Sequence, residues 1–251
     1  MTRKVFFWCR GQDDNIGDVL LRRRMMRDLR QMGEVHVLIG GASDSFVESM
    51  GFTRADVLYR NSRSWLTQLY RVALSEKMAL AFNPGEVRVG PKSALSHSLL
   101  VPAQIMGKAR GSKSIRAGIA VRGHHSIWSL PLRASDRLSE VVIRRNVEAR
   151  ERSPFEYGPD WAFDEGGALP LPDEKRDELL LTFRCDRPEL PPESIAALRT
   201  VAEREHLDLV VFTQVRRDNQ HGADLAGRLD CDYVPWPEEV THTEQESTSA
   251  R

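Results

Sequence analysis

Val5-Phe6-Phe7-Trp8-Cys9 runs through Gly11 into Asp13-Asp14-Asn15-Ile16-Gly17-Asp18, and this join decides the fold. Consecutive apolar residues predict a buried strand, and the periodic segment that follows predicts an amphipathic helix. Gly11 and Gly17 free the backbone to turn, while Asn15 or Asp18 can accept hydrogen bonds from the first N–H groups of the helix. A strand that delivers a helix N-terminus to a glycine turn makes a polar, mildly electropositive corner, the place where this chain is expected to meet a ligand. The plainer alternative is that Gly17 only turns the chain and Asp18 only caps the helix.

Outward from that join the pattern alternates. Leu21, Met25, Leu29 and Met32 fall at helical spacing over Val19–Met32, and Gly33 stops the helix before the strand Val35–Ile39. A short helix at Ser45–Met50, a strand at Asp56–Tyr59, a helix at Ser64–Ser75 and the strand Met78–Phe82 follow. That strand is expected to end in a turn, Asn83-Pro84-Gly85-Glu86. Beyond it Ala94–Met106 reads as helix, Ile115–Val121 as a buried strand, Arg133–Leu138 as helix and Val141–Ile143 as strand. Alternation with short links predicts a parallel sheet covered on both faces.

Gly166-Gly167, Pro170 and Pro172 read as a linker, after which the pattern restarts. The strand Leu179–Arg184, a helix over Pro192–His206, the strand Leu207–Thr213, a helix over Asp218–Leu229 and a brief Tyr233-Val234 follow. The expected fold class is therefore α/β. Residues 1–168 form a Rossmann-like parallel sheet with helices on both faces, residues 169–240 an incomplete second Rossmann-like domain, and residues 241–251 a disordered tail.

Lys+Arg and Asp+Glu both number 36, so no global field draws the chain to nucleic acid or to anionic lipid, and no nucleic-acid partner is expected. The run Arg22-Arg23-Arg24 reads as a solvated helix face. No apolar stretch reaches the length of a membrane span, and the N-terminal strand is too short for a signal-peptide core, so a cytoplasmic protein is expected. Cys9, Cys185 and Cys231 are far apart and form no CxxC, which argues against a metal site.

Several local patterns invite a sharper reading. Gly85 to Ser93 approaches the phosphate-binding GxxxxGK[ST] loop, but Pro91 stands between Gly90 and Lys92 and removes a donor from the nest. Gly40-Gly41 follows a strand without the third glycine of a dinucleotide fingerprint and reads as a turn. His124-His125 follow a strand end where proton transfer is conceivable, although a solvated loop accounts for them as well. Arg184 closes an apolar strand, where its fork suits a carboxylate or phosphate as readily as an ion pair. Gln214 and Asp218 occupy the next strand end, Asp218 as a helix cap on the plainer view.

Taken together, these features resemble the polysaccharide pyruvyl transferase family from about Val5 to Trp236. Asn15-Ile16-Gly17-Asp18 resembles its N-terminal motif, and Asn83-Pro84-Gly85-Glu86 falls where that family has a glycine cluster. Gly158-Pro159-Asp160-Trp161-Ala162-Phe163 resembles its Pro-Asp-x-Ala-Phe element, while Phe183-Arg184 and Gln214 with Asp218 match elements of its second domain. The resemblance implies two Rossmann-like domains in a glycosyltransferase-like architecture. It also implies phosphoenolpyruvate as donor substrate without a separate cofactor, and a sugar of a cell-surface polysaccharide or glycolipid as acceptor. On that reading Asn15, Gly17, Asp18, Asn83, Gly85, Glu86, Asp160, Arg184 and Gln214 bind substrate, with Asn15, Asp18 and Glu86 on the acceptor and Arg184 on the donor. No catalytic residue is assigned.

Two departures shape the expectation. The family's Arg-Asp-x-x-Ser appears as Arg145-Asn146-Val147-Glu148-Ala149, and the chain reaches Arg251 without the Arg-x-His that the family carries late in its second domain. A truncated member with impaired activity is expected. The alternatives are a non-catalytic glycan-binding remnant, whose unpaired sheet edge would drive self-association into a homo-oligomer, and a glycosyltransferase that uses a nucleotide sugar.

Overall fold

The computed structural model describes residues 3–123, 126–145, 156–158 and 177–236. Packing divides the chain into two compact units, the first comprising residues 1–13 and 18–168 and the second residues 14–17 and 169–251.

The first unit runs β1 (Lys4–Trp8), α1 (Ile16–Met32), β2 (Glu34–Leu38), α2 (Asp44–Ser49), β3 (Val57–Tyr59), α3 (Ser62–Ser75) and β4 (Met78–Phe82). It continues with β5 (Gly85–Arg88), α4 (Pro91–Ala109), β6 (Lys113–Arg122), α5 (Leu130–Leu138), β7 (Val141–Arg144) and β8 (Glu156–Tyr157). The sheet order is β3-β2-β1-β4-β6-β7-β8, with β5 also on β6, and every ladder is parallel. This is the α/β, Rossmann-like fold expected. From β1 the chain builds outward through β2 and β3, then crosses to β4 on the other side of β1. The order therefore reverses between β1 and β4, and the crevice beyond the carboxyl ends of those two strands is where open α/β sheets bind ligands.

The central strands are buried on both faces, which explains why they read as unbroken apolar runs: every residue of β4 is buried. Phe6, Leu38, Leu80 and Phe82 pack under Trp65, Leu69 and Val72 of α3 and Leu100 and Ala103 of α4. Trp65, fully buried, donates its indole N–H to the His36 carbonyl at 3.0 Å, so the largest side chain of the core leaves no polar atom unpaired.

One expectation fails here. Asn83-Pro84-Gly85-Glu86 is not a turn at a strand end, because β5 resumes in the same register: Ala79 pairs with Lys113 of β6 and Gly85 with Ile119. Pro84 has no N–H to give a ladder, so the strand breaks at Asn83-Pro84, and Gly85 takes up the change of direction at φ +116, a conformation that favours glycine. The phosphate-loop comparison ends for the same reason, since Gly85–Arg88 is strand and Pro91 begins α4.

Polar residues also enter the interior of this unit. Arg116 and Asp136 are almost wholly buried, and Arg144 nearly so. Arg144 Nη2 donates to Asp136 Oδ2 at 2.6 Å, and Arg116 Nη2 to Ser135 Oγ at 2.8 Å. Ser135 in turn donates to Gln104 Oε1 at 2.7 Å. Arg116 Nε lies 2.9 Å from Asp136 Oδ1, near enough for an ion pair but out of line for a hydrogen bond, so neither atom has a hydrogen-bond partner among the described residues. The Arg116 guanidinium covers the Phe82 ring at 3.7 Å.

His97 stands beside this network, 6.3 Å from the Trp8 ring and 6.0 Å from the Phe82 ring, and its Nδ1 lacks a hydrogen-bond partner among the described residues. Burial, helped by the Arg116 charge, pulls His97 down to about 3. Burial lowers His36 as well. A folded-state value below the unfolded one, near 6.5, means that the unfolded chain binds the extra proton. Stability is then complete above about pH 6.5 and is lost as pH falls toward 3, at up to roughly 1.4 kcal/mol per pH unit for one such group. Urea titrations at pH 7.5 and pH 5 should differ by about 2 kcal/mol, and His97→Phe should remove most of the difference; an unchanged difference in that variant would acquit His97.

The second unit holds β9 (Glu178–Leu181), α6 (Pro192–Glu205), β10 (Asp208–Phe212), α7 (Asn219–Leu229) and β11 (Asp232–Val234), with parallel strand order β11-β10-β9. Leu181, Val211, Leu225, Ala226 and Leu229 form its core, with Ile195 and Leu198 of α6 packed against them. β9 ends at Leu181, its last pairing being with Val211, so Arg184 stands in the following loop rather than closing the strand.

Candidate functional site

The first-unit site is built where β1 and β4 end. α1 begins at Ile16, earlier than its apolar periodicity suggests, because Asn15 caps it: Asn15 Oδ1 accepts from Gly17 N at 2.9 Å. Asp18 is therefore not the cap. Its carboxylate lies against Gly85, where an added Cβ would stand 3.2 Å from Asp18 Oδ1. Gly85 is thus needed twice, for its backbone conformation and for this close approach.

One turn further along α1, Arg22 points inward and is 1 % exposed. Its Nε donates to Asn83 Oδ1 at 2.7 Å and its Nη1 to the Gln12 carbonyl at 2.6 Å, while its guanidinium lies 5.2 Å from the Phe46 ring centre. A Cβ on Gly11 would run into Arg22 Nη2, so the glycine after β1 exists to let the guanidinium through. Arg22 does not belong to a solvated arginine face, as its sequence neighbours suggested. The cue was present in the spacing, since Arg22 continues the buried stripe of Val19, Met26 and Leu29. Asp13 anchors the same loop by accepting from Ser43 N at 2.8 Å, and Ser43 caps α2.

Cys9 is also in this corner, but burial pushes its thiol up to about 12 against the pull of Arg22, so it remains a thiol and not a nucleophile at neutral pH. Glu86 is engaged by Arg88 at 2.7 Å and Arg122 at 2.9 Å, two cations flanking it on β5 and β6. Gly40, at φ +62, makes the expected turn with Gly41.

The second unit contains the other residues. Within the second unit, which takes in residues 14–17, Asn15 bridges Val215 and Ile16 N donates to the Gln214 carbonyl at 3.0 Å, which leaves the exposed Gln214 side chain outside that contact. Arg184 pairs with Asp186 at 2.6 Å and lines a pocket of about 250 Å³ with Phe183, Arg187, His221 and Arg228. Asp218 is buried and holds the N-cap position of α7 without a side-chain capping bond; its Oδ1 accepts from Cys185 N at 3.3 Å.

Asp160 and the rest of its motif from Pro159 to Phe163, as well as His124-His125, lie outside the described residues; Gly158 follows β8 and its N–H donates to the Arg144 carbonyl at 3.0 Å. Arg-x-His does occur upstream of the position where the resemblance requires it, as Arg122-Gly123-His124 and Arg204-Glu205-His206. In the latter, Arg204 pairs with Glu205 and His206 ends α6 in a left-handed conformation, which is a structural role. Among the described residues no cluster of His, Cys, Asp or Glu is placed to hold a metal ion.

No family model matches the sequence, and no curated protein matches it. Among solved structures, the chain is similar to E. coli heptosyltransferase WaaC with ADP-2-deoxy-2-fluoro heptose, at 13 % identity and a TM-score of 0.41, over 94 % of this chain and 77 % of that one. A likeness of that size carries no weight for activity or ligand.

Proposed function

We propose that this protein is a saccharide-directed transferase that takes phosphoenolpyruvate as donor. The observation that supports this reading most is the convergence of two segments distant in sequence: Asp18 meets Gly85, and Arg22 is held by Asn83, at the point where the strand order reverses. These residues belong to, or adjoin, the two first-domain segments on which the pyruvyl transferase resemblance rests. A carboxylate backed by a fixed guanidinium and a side-chain amide is suited to the hydroxyl groups of a sugar.

Phosphoenolpyruvate carries a phosphate and a carboxylate, and each fits the planar fork of arginine. The pocket in the second unit presents Arg184, Arg187 and Arg228 together, and is the donor site on this reading. A nucleotide-sugar transferase is the second reading, favoured by the Rossmann strand order of the first unit.

Calorimetry separates the two. Phosphoenolpyruvate should bind the parent chain and bind Arg184→Ala at least about tenfold more weakly, the loss of one charge-assisted fork. Binding of ADP- or UDP-sugars without phosphoenolpyruvate would transfer the assignment to the second reading, and binding of neither would remove both.

A further inference from the structure

α4 buries Ala94, His97, Leu100, Ala103 and Gln104 against its own unit. Its other side is apolar too: Leu95 is 64 % exposed, Leu99 45 % and Ile105 53 %, with exposed Pro102 between them. Ile127 at 73 % and Trp128 at 47 % extend the apolar surface onto the short 3₁₀ turn Ile127–Ser129, which precedes α5. A surface helix ordinarily turns a polar face to water; here Ser98 is the only exposed polar residue between Lys92 and Lys108, and an outer side so largely apolar suits a second apolar medium.

The charge around this face is one-sided. Although the whole chain is neutral, the stretch between Glu86 and Asp136 carries eight lysines and arginines and no acidic residue. Arg116 is buried, and Arg88 and Arg122 flank Glu86, whereas Lys92, Lys108, Arg110, Lys113 and Arg133 are exposed. Lys92 stands in the first turn of α4 and Lys108 in the last, so cations bracket the apolar stripe along a helix about 28 Å long. No helix among the described residues is long and apolar enough to cross a membrane, so this is a surface to lie along.

We infer that the outer face of α4, with the Ile127–Trp128 turn, docks on an anionic lipid bilayer. Leucine and isoleucine reach the acyl boundary, tryptophan occupies the headgroup level, and the bracketing cations meet anionic headgroups, the arrangement by which interfacial helices bind. A second copy of the chain fits less well, because a two-fold contact would set this cationic surface against itself. The inference does not depend on the donor or acceptor proposed above.

Co-sedimentation with vesicles of phosphatidylcholine, alone or enriched in phosphatidylglycerol, tests it. The full chain should pellet with the anionic vesicles at least about tenfold more strongly than with the neutral ones, and added salt should weaken that binding. A Leu95→Ser/Leu99→Ser/Ile105→Ser variant and a Lys92→Glu/Lys108→Glu/Arg110→Glu variant should each lose it while keeping the parent's unfolding midpoint, since the altered side chains are exposed. Should either variant unfold, quenching of Trp128 by spin-labelled lipid, absent in Trp128→Phe, reads the same contact in an otherwise intact chain. Equal binding to both vesicles, no binding, or a dimer abolished by the serine substitutions would overturn the inference.

Discussion

Asp136→Ala should lower the unfolding free energy of the first unit by about 3–5 kcal/mol, because it removes the buried carboxylate that the Arg116 and Arg144 guanidiniums share. Arg116 and Arg144 reach the same carboxylate from neighbouring strands, at 2.9 and 2.6 Å. Burial lowers Arg116 to about 10, which still leaves it protonated at pH 7, so the loss of Asp136 cannot be relieved by deprotonation. Burial raises the Asp136 carboxyl on balance, against the pull of the two guanidiniums, and lowers Arg116 despite Asp136, so taking the charges out of water costs more than their contact returns. Replacing the three together with well-packed apolar residues should therefore cost far less than Asp136→Ala alone. Urea unfolding of the single and triple variants measures both, and a single-variant loss below about 1 kcal/mol would show that water reaches the cluster.

Much of the first unit can be read without coordinates because its central strands are buried on both faces. Met78–Phe82 has no polar residue to break the run, and its observed bounds are those its composition predicts. Where the reading failed, local chemistry imitated a different signal. Pro84-Gly85 has the composition of a turn, yet the strand resumes because β6 is long enough to pair with both β4 and β5. Arg22 was hidden by Arg23 and Arg24, since a run of like charges suggests solvent, although the period of the helix placed Arg22 on the buried stripe.

The cap at Asn15 was legible, because capping is a local act, whereas Gly17 makes no turn and lies within the first turn of α1. The long-range part of the site was not legible. That Asp18 would lie against Gly85 rather than cap its own helix, and that Asn83 would hold an arginine, depends on β1 and β4 being neighbours. Strand adjacency is a property of topology, and single residues carry little trace of it. The apolar outer side of α4 was overlooked for the opposite reason, because an apolar helix reads as a core element whichever side its residues face.

Arg22→Met should be the more damaging change for binding, although Asp136→Ala costs as much or more stability. Methionine fills similar space beside Phe46 but cannot donate, so Asn83 Oδ1 and the Gln12 carbonyl lose their partner in a half-buried place. Each orphaned acceptor costs about 1–3 kcal/mol, which gives roughly 2–4 kcal/mol in total after relaxation. Arg22→Lys should not rescue the loss: an ammonium on a single stem cannot reproduce the fork that spans Asn83 and Gln12. The two acceptors belong to the loop after β1 and the break before β5, so the substitution frees both walls of the corner at once. Saccharide affinity should then fall at least about tenfold, even at temperatures where the variant remains folded, because a looser site must be ordered again on binding. Gly11→Ala supplies the independent check. Its Cβ enters the space of Arg22 Nη2 without removing any donor, so it should weaken binding in the same direction and by less. Equal saccharide affinity for the parent, Arg22→Met and Gly11→Ala, measured on folded protein, would place the acceptor elsewhere.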